Sequence, residues 1–201
     1  MDLAAPATQS IATQPSGSLI GLVLRAARLD GTAYDEIKRD PYGTAHSFSV
    51  VLLSVTLYFV SLLSSLIVLT PDAGPGLKSS ILMTVFFVLF VVGGWVIWSY
   101  IAYWVGTMLL GGTAPFEILL RTLGLTFGPW VLAFVLIPLG LVNLSGSLLG
   151  IIFGVVGPLW SLLSALVAIR HAFDFHWKQA FVTTTLAHIP VVGFAIIMFA
   201  A

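Results

Sequence analysis

No charged side chain interrupts residues 122–169, a run bounded by Arg121 and Arg170. A single helix over that stretch would extend about 70 Å at 1.5 Å per residue, more than twice a hydrocarbon core of about 30 Å, so the run must fold back. The apolar pattern is weakest at Gly140-Leu141-Val142-Asn143-Leu144-Ser145-Gly146-Ser147, which supplies turn formers and no charge. A helical hairpin is predicted there, its open ends at Glu117/Arg121 and Arg170/Asp174 returning to one membrane face. Along the whole chain the same pattern predicts spans at about 47–69, 80–105, 116–139, 147–169 and 180–199, the first two separated by the two-proline turn Thr70-Pro71-Asp72-Ala73-Gly74-Pro75-Gly76. The predicted fold class is an all-α integral membrane protein, with five transmembrane helices in a compact bundle over residues 47–201.

Ahead of the bundle the pattern changes twice. Residues 1–17 are rich in Ala, Pro, Thr, Gln and Ser and have no basic stretch followed by a long apolar run, so a disordered tail rather than a cleaved signal is expected. Residues 18–46 predict cytosolic or interfacial amphipathic helices. From Ser18 to Leu29, Ser18, Gly21, Arg25 and Arg28 share one side at 100° per residue, while Leu19, Leu22, Val23, Ala26 and Leu29 lie elsewhere. That suits a helix in the membrane interface with snorkelling arginines, or a soluble helix packed on the base of the bundle. A second short helix is expected to start at Thr32 as N-cap, with Asp35 and Glu36 in its first turn, Lys38 and Arg39 in its last, and Pro41 as its stop.

Composition agrees: 59% of residues are hydrophobic, 8% are charged and the mean hydropathy is +1.08, where a soluble domain carries about 25% charged residues. The formal net charge is zero, so only its distribution informs. Seven of the eight Lys and Arg residues fall on one side of the predicted spans and Lys78 alone on the other, which predicts a cytoplasmic N-terminus and, with an odd number of spans, an external C-terminus. The absence of cysteine excludes disulfides and thiolate chemistry.

Chemistry inside the spans is sparse. Gly146, Gly150 and Gly154 recur every four residues, and Gly124 with Gly128 forms a second small-residue pair; both are candidate helix-packing surfaces. A homodimer face is one use for them, and packing within the bundle is the better supported one, because the two hairpin helices must pack anyway. Pro129, Pro138 and Pro158 interrupt those helices and can kink or break them. His188 is the one ionisable residue well inside a span, and with Thr184 it forms a candidate intramembrane polar site. Thr184 one turn away and the carbonyl freed by Pro190 can equally satisfy a neutral imidazole. No catalytic, cofactor or metal constellation is present, and no basic patch interleaved with aromatics points to nucleic acid. The remaining candidate site is a charge cluster at the hairpin's open end, with Glu117 or Arg121 pairing across helices to Arg170 or Asp174, or all four simply marking the membrane boundary.

Around that end lie Gly111-Gly112-Thr113-Ala114-Pro115-Phe116-Glu117, then Leu119-Leu120-Arg121-Thr122-Leu123-Gly124 and Pro129. This order resembles the Gly-Gly-x-x-x-Phe…Arg…Gly…Pro signature of the Yip1 domain. Trp160, the segment Trp177-Lys178-Gln179-Ala180 and the segment Tyr34-Asp35-Glu36-Ile37-Lys38-Arg39-Asp40-Pro41 are similar to further parts of the same family, so that the resemblance spans about residues 30–200. It implies a five-helix membrane protein with a cytosolic N-terminus. Eukaryotic members are tied to Rab GTPases and vesicle traffic, but the Asp-Leu-Tyr-Gly-Pro motif of that branch is absent here, and the chain is more similar to bacterial members.

The expectation is therefore a non-enzymatic Yip1-like membrane protein in the bacterial cell membrane, or in endomembranes if eukaryotic, that needs no cofactor. It would present a cytoplasmic surface to protein partners or to lipids, with homo-oligomers open and no nucleic acid. The alternative is a small-molecule channel or carrier whose path between spans three to five is lined by Asn143, Ser161, Ser164, Thr184 and His188.

Overall fold

The computed structural model describes residues 18–69, 75–131 and 146–200, and among them every regular element is helical. Two short helices, α1 (Leu19–Ala27) and α2 (Gly31–Arg39), precede α3 (Gly43–Leu69) and α4 (Leu77–Trp104), which continues as a π-helical turn over Val105–Leu109. α5 (Phe116–Leu125), α6 (Gly146–Phe173) and α7 (Trp177–Ala200) complete the order. Among the described residues, three stretches are long and apolar enough to cross a membrane: Gly43–Ser64, Leu77–Leu109 and Val155–Phe173.

α1 and α2 are joined by a corner with no spare residue. Leu29 adopts φ 62, and the Asp30 N–H reaches back to the Arg25 carbonyl at 3.0 Å while Leu29 N–H bonds Ala26, a Schellman closure made without glycine. Asp30 then caps α2, its carboxylate accepting from the Thr32 N–H at 3.0 Å and the Thr32 hydroxyl at 2.7 Å. The cap is thus Asp30 and not Thr32: a carboxylate is the stronger acceptor, and the residue that ends one helix starts the next.

The third predicted span, 116–139, is described only as far as Val131, and over that part its helix is interrupted. α5 ends at Leu125, and Thr126 to Val131 continue through bonds between residues three apart. Pro129 has no N–H to donate and disfavours helical geometry at Gly128, so the helix loosens before the proline. The helices at the other predicted spans begin one to four residues earlier than expected; α3 ends at Leu69 as expected, and α6 and α7 end at Phe173 and Ala200, four residues and one residue later. The expected turn is outside the described residues up to position 145, and Gly146 and Ser147 already belong to α6. The tail 1–17 also lies outside them.

α5 packs between α3 and α4 on one side and α6 on the other, and α7 lies against α4 and α6. The core is Val51, Val55, Trp98, Leu119, Leu123 and Ile169 with their neighbours. α2 lies against the ends of α5 and α6, closing one end of the bundle, here termed the base.

Candidate functional site

α2 is held across the helix ends because Tyr34, Ile37 and Ala33, at helical spacing, are fully buried, while its polar groups engage three other helices. From α5, Arg121 is only 13% exposed. Its Nε donates to Thr44 Oγ1 at 3.0 Å and its Nη1 to the carbonyls of Asp40 at 2.9 Å and Lys38 at 3.4 Å. Its remaining nitrogen pairs with Glu117, one turn earlier. One guanidinium thus adds a donor to the carbonyls where α2 ends, of which that of Asp40 also accepts from the Gly43 N–H at 3.0 Å, and fastens them to α3 and α5. Gly43 has to be small here: a Cβ would sit 2.6 Å from the Ile37 carbonyl oxygen and 3.0 Å from Arg121 Cδ.

The other half of α2 engages α6. Lys38 Nζ donates to the His171 carbonyl at 2.5 Å and lies 3.5 Å from Asp174, a cation at the carbonyl end of a helix. The His171 ring bonds Asp35 at 3.2 Å and covers Gly31, where a Cβ would lie 2.1 Å from Nε2. Deeper in, the Tyr34 hydroxyl shares a 2.5 Å hydrogen bond with Ser164. Burial pushes that hydroxyl above its ordinary range, so it remains protonated. Arg25 on α1 pairs with Glu36 and donates to Thr32 at 3.3 Å, tying α1 to α2. The Asp30 carboxyl is held below the usual range by its hydrogen bonds from the Thr32 side chain and backbone.

A glycine and aromatic joint closes the base beside this plate. Gly111 takes φ 72, a conformation glycine adopts freely, and the Gly112 N–H bonds the Gly106 carbonyl at 2.9 Å across the π-helical turn. A Cβ on Gly106 or Gly112 would come within 2.4 Å of the Phe173 ring, which stacks on Phe175 at 4.7 Å. Phe116 sets its edge against Tyr100 and Tyr103 at 6.0 Å each. Near the end of α5 a Cβ on Gly124 would meet Ser47 Cβ at 2.5 Å, and just beyond the helix one on Gly128 would meet Val23 Cγ1 at 2.7 Å. Both glycines thus serve close approach within one chain. Gly146, Gly150 and Gly154 lie in the first part of α6, their surroundings outside the described residues.

The four charges predicted at the hairpin's open end do not form one network. Glu117 and Arg121 pair along α5, Asp174 turns to Lys38, and Arg170 stacks over the Trp177 ring at 4.4 Å. α2 stands between the two helix ends and takes the bonds that direct pairing would have used. His188 donates through Nδ1–H to the Thr184 carbonyl, 2.6 Å away, and lies edge-on to Trp98 at 4.7 Å. Thr184 bonds the Ala180 carbonyl at 2.7 Å and Ser161 the Thr126 carbonyl at 2.6 Å. Asn143 is outside the described residues. No group of three or more His, Asp or Glu placed to hold a metal occurs among the described residues.

Sequence reasoning passed over Tyr34, Asp35, Lys38, Thr44 and His171 as site residues. The segment Tyr34–Pro41 carries a signal, an apolar pair three apart followed by Lys38, but its charges fit local helix-dipole chemistry equally well. Gly157, whose added Cβ would meet the Pro129 carbonyl oxygen at 3.4 Å, escaped because it falls outside the four-residue repeat.

The sequence model of the Yip1 domain matches residues 21–200. No curated protein and no solved structure matches the chain.

Proposed function

Since the chain belongs to the Yip1 domain family, we propose that it is a non-enzymatic multi-pass membrane protein whose base presents a fixed cytoplasmic surface to protein partners or lipids. The observation that carries this reading is the plate formed by α2, fastened to α3, α5 and α6 by Arg121, Lys38 and Tyr34. A surface held by buried bonds to several helices keeps its shape when a partner arrives, and so loses little ordering entropy on binding. The polar groups that a conducting path would need are otherwise engaged: Ser161, Ser164, Thr184 and His188 bond backbone carbonyls or Tyr34.

Three apolar stretches account for three spans. In this reading α7, 24 residues long, is another, and the segment opened by α5 is the fifth. The excess of Lys and Arg at the base supports a cytoplasmic base and N-terminus, and the missing eukaryotic motif supports a bacterial cell membrane.

The test is chemical cross-linking in native membranes with mass spectrometry, paired with solute flux in proteoliposomes. Partner peptides joined to the exposed Lys178 and no flux above protein-free vesicles are expected. Flux that His188→Leu abolishes would replace the scaffold with the channel or carrier.

A further inference from the structure

α1 sits at a depth that its short length conceals. Its Val23 side chain meets Gly128, which lies seven residues beyond Arg121, about 10 Å further from the base at 1.5 Å per residue. On the other side the Ala27 carbonyl accepts from Trp160 Nε1 at 2.7 Å, ten residues and about 15 Å before Arg170 on α6. At that level the outer surface of α6 is apolar and exposed through Leu159, Leu162 and Leu163, within a stretch apolar enough to cross a membrane. α1 therefore lies alongside the lipid-facing part of the bundle and not beneath it.

Its outward side matches that setting. Leu22 and Ala26 are buried against the core, and Ile20 and Leu24, one turn apart, are 73% and 53% exposed. The charge of Arg25 is paired to Glu36 on α2, and the exposed Arg28 sits at the end of α1 next to the corner that leads to α2. A helix on a wet surface puts its polar side outward; this one puts leucine and isoleucine outward and arginine toward the base.

We propose that α1 is inserted into the hydrocarbon of the leaflet on the base side, with Ile20 and Leu24 in contact with its acyl chains and Arg28 reaching the headgroups. The occupant of this face is lipid, because the face is continuous with the exposed apolar surface of α6. The proposal deepens the reading of the base as a lipid-contacting surface by naming the element that makes the contact. It holds whichever side of the membrane the base faces.

A chain without cysteine permits a direct test. Single variants Ile20→Cys and Leu24→Cys carry a nitroxide label in vesicles of phosphatidylcholine and phosphatidylglycerol, with Ile97→Cys on α4 as the lipid reference and Arg39→Cys on α2 as the water reference, both exposed. Labels at 20 and 24 are expected to collide with oxygen as at 97 and to be shielded from a water-soluble nickel chelate. Chelate access equal to that at 39 would overturn the proposal, and so would shielding from both reagents, which would mean that protein covers the face. The two positions report independently, so a variant that fails to fold leaves the other. Reduction of the Arg39→Cys label by an impermeant reagent in whole cells reads the side of the base separately, which keeps failure of the depth distinct from failure of the topology.

Discussion

Removing the Arg121 side chain is the most direct way to test the plate. In Arg121→Ala, the bonds to the Asp40 carbonyl at 2.9 Å and Thr44 at 3.0 Å disappear. Charge-assisted bonds contribute about 1.5 to 3 kcal/mol each. The 3.4 Å contact to Lys38 adds little, and the Glu117 partner is 59% exposed, which limits that pair to about 0–1 kcal/mol. The expected loss is therefore about 3 kcal/mol, dominated by the two charge-assisted bonds themselves, since the Asp40 carbonyl keeps the Gly43 N–H at 3.0 Å. For a chain of this size that corresponds to a fall in melting temperature of about 6–12 °C. The assay is thermal unfolding in detergent, with hydrogen exchange over residues 38–44 to localise the effect. Glu117→Ala should cost less than about 1 kcal/mol, and Arg121→Lys should resemble the alanine variant because an ammonium cannot span the same acceptors. Equal, small losses for Arg121→Ala and Glu117→Ala would refute the clamp and leave Arg121 a boundary marker. Adding Asp174→Arg to Arg121→Glu should give no rescue, since Asp174 faces Lys38.

Other perturbations probe separate joints. Gly124→Ala should lower stability by about 1–3 kcal/mol in the same melting assay, because its Cβ meets Ser47 in a packed contact; an unchanged curve would mean that α3 and α5 are not in close contact there. The Asp30 carboxyl is held below its usual value of 3.8, so its contribution is present above that pH and is lost as pH falls through the lower folded value. Asp30→Asn, which keeps the cap but cannot titrate, should show a stability gap from the parent that is flat above about pH 5 and closes toward acid, and a gap independent of pH would remove the charge from the account. A reporter active only in the cytoplasm should work when fused before Ser18 and fail after Ala201; activity at both ends would require an even number of spans.

How much of this could be read in advance depends on the range of the forces involved. Hydropathy located α3, α4, α6 and α7 because long apolar runs declare themselves, but it began each helix late. Trp177-Lys178-Gln179 and Gly43-Thr44-Ala45-His46 are polar enough to be read as loop, yet hydrogen-bond as first turns. The end of α5 at Leu125 was hidden for the opposite reason: Phe127 and Trp130 keep the window apolar while Gly128-Pro129 changes the backbone. The glycine spacing at Gly124 and Gly128 was legible as packing, since close approach needs only the missing side chain. The plate was not legible. Tyr34 meets Ser164, and Lys38 meets the His171 carbonyl, across more than a hundred residues, and no local pattern records which helix end will supply a carbonyl.

The corner at Leu29 and Asp30 carries a mechanical consequence. Because Leu29 is the last residue of one closure and Asp30 belongs to both that closure and the next cap, no residue between α1 and α2 is free to rotate. The Arg25 and Glu36 pair braces the angle from the side. A joint of this kind has no slack, so α1 and α2 keep one angle and form a single rigid corner seated against α5 and α6.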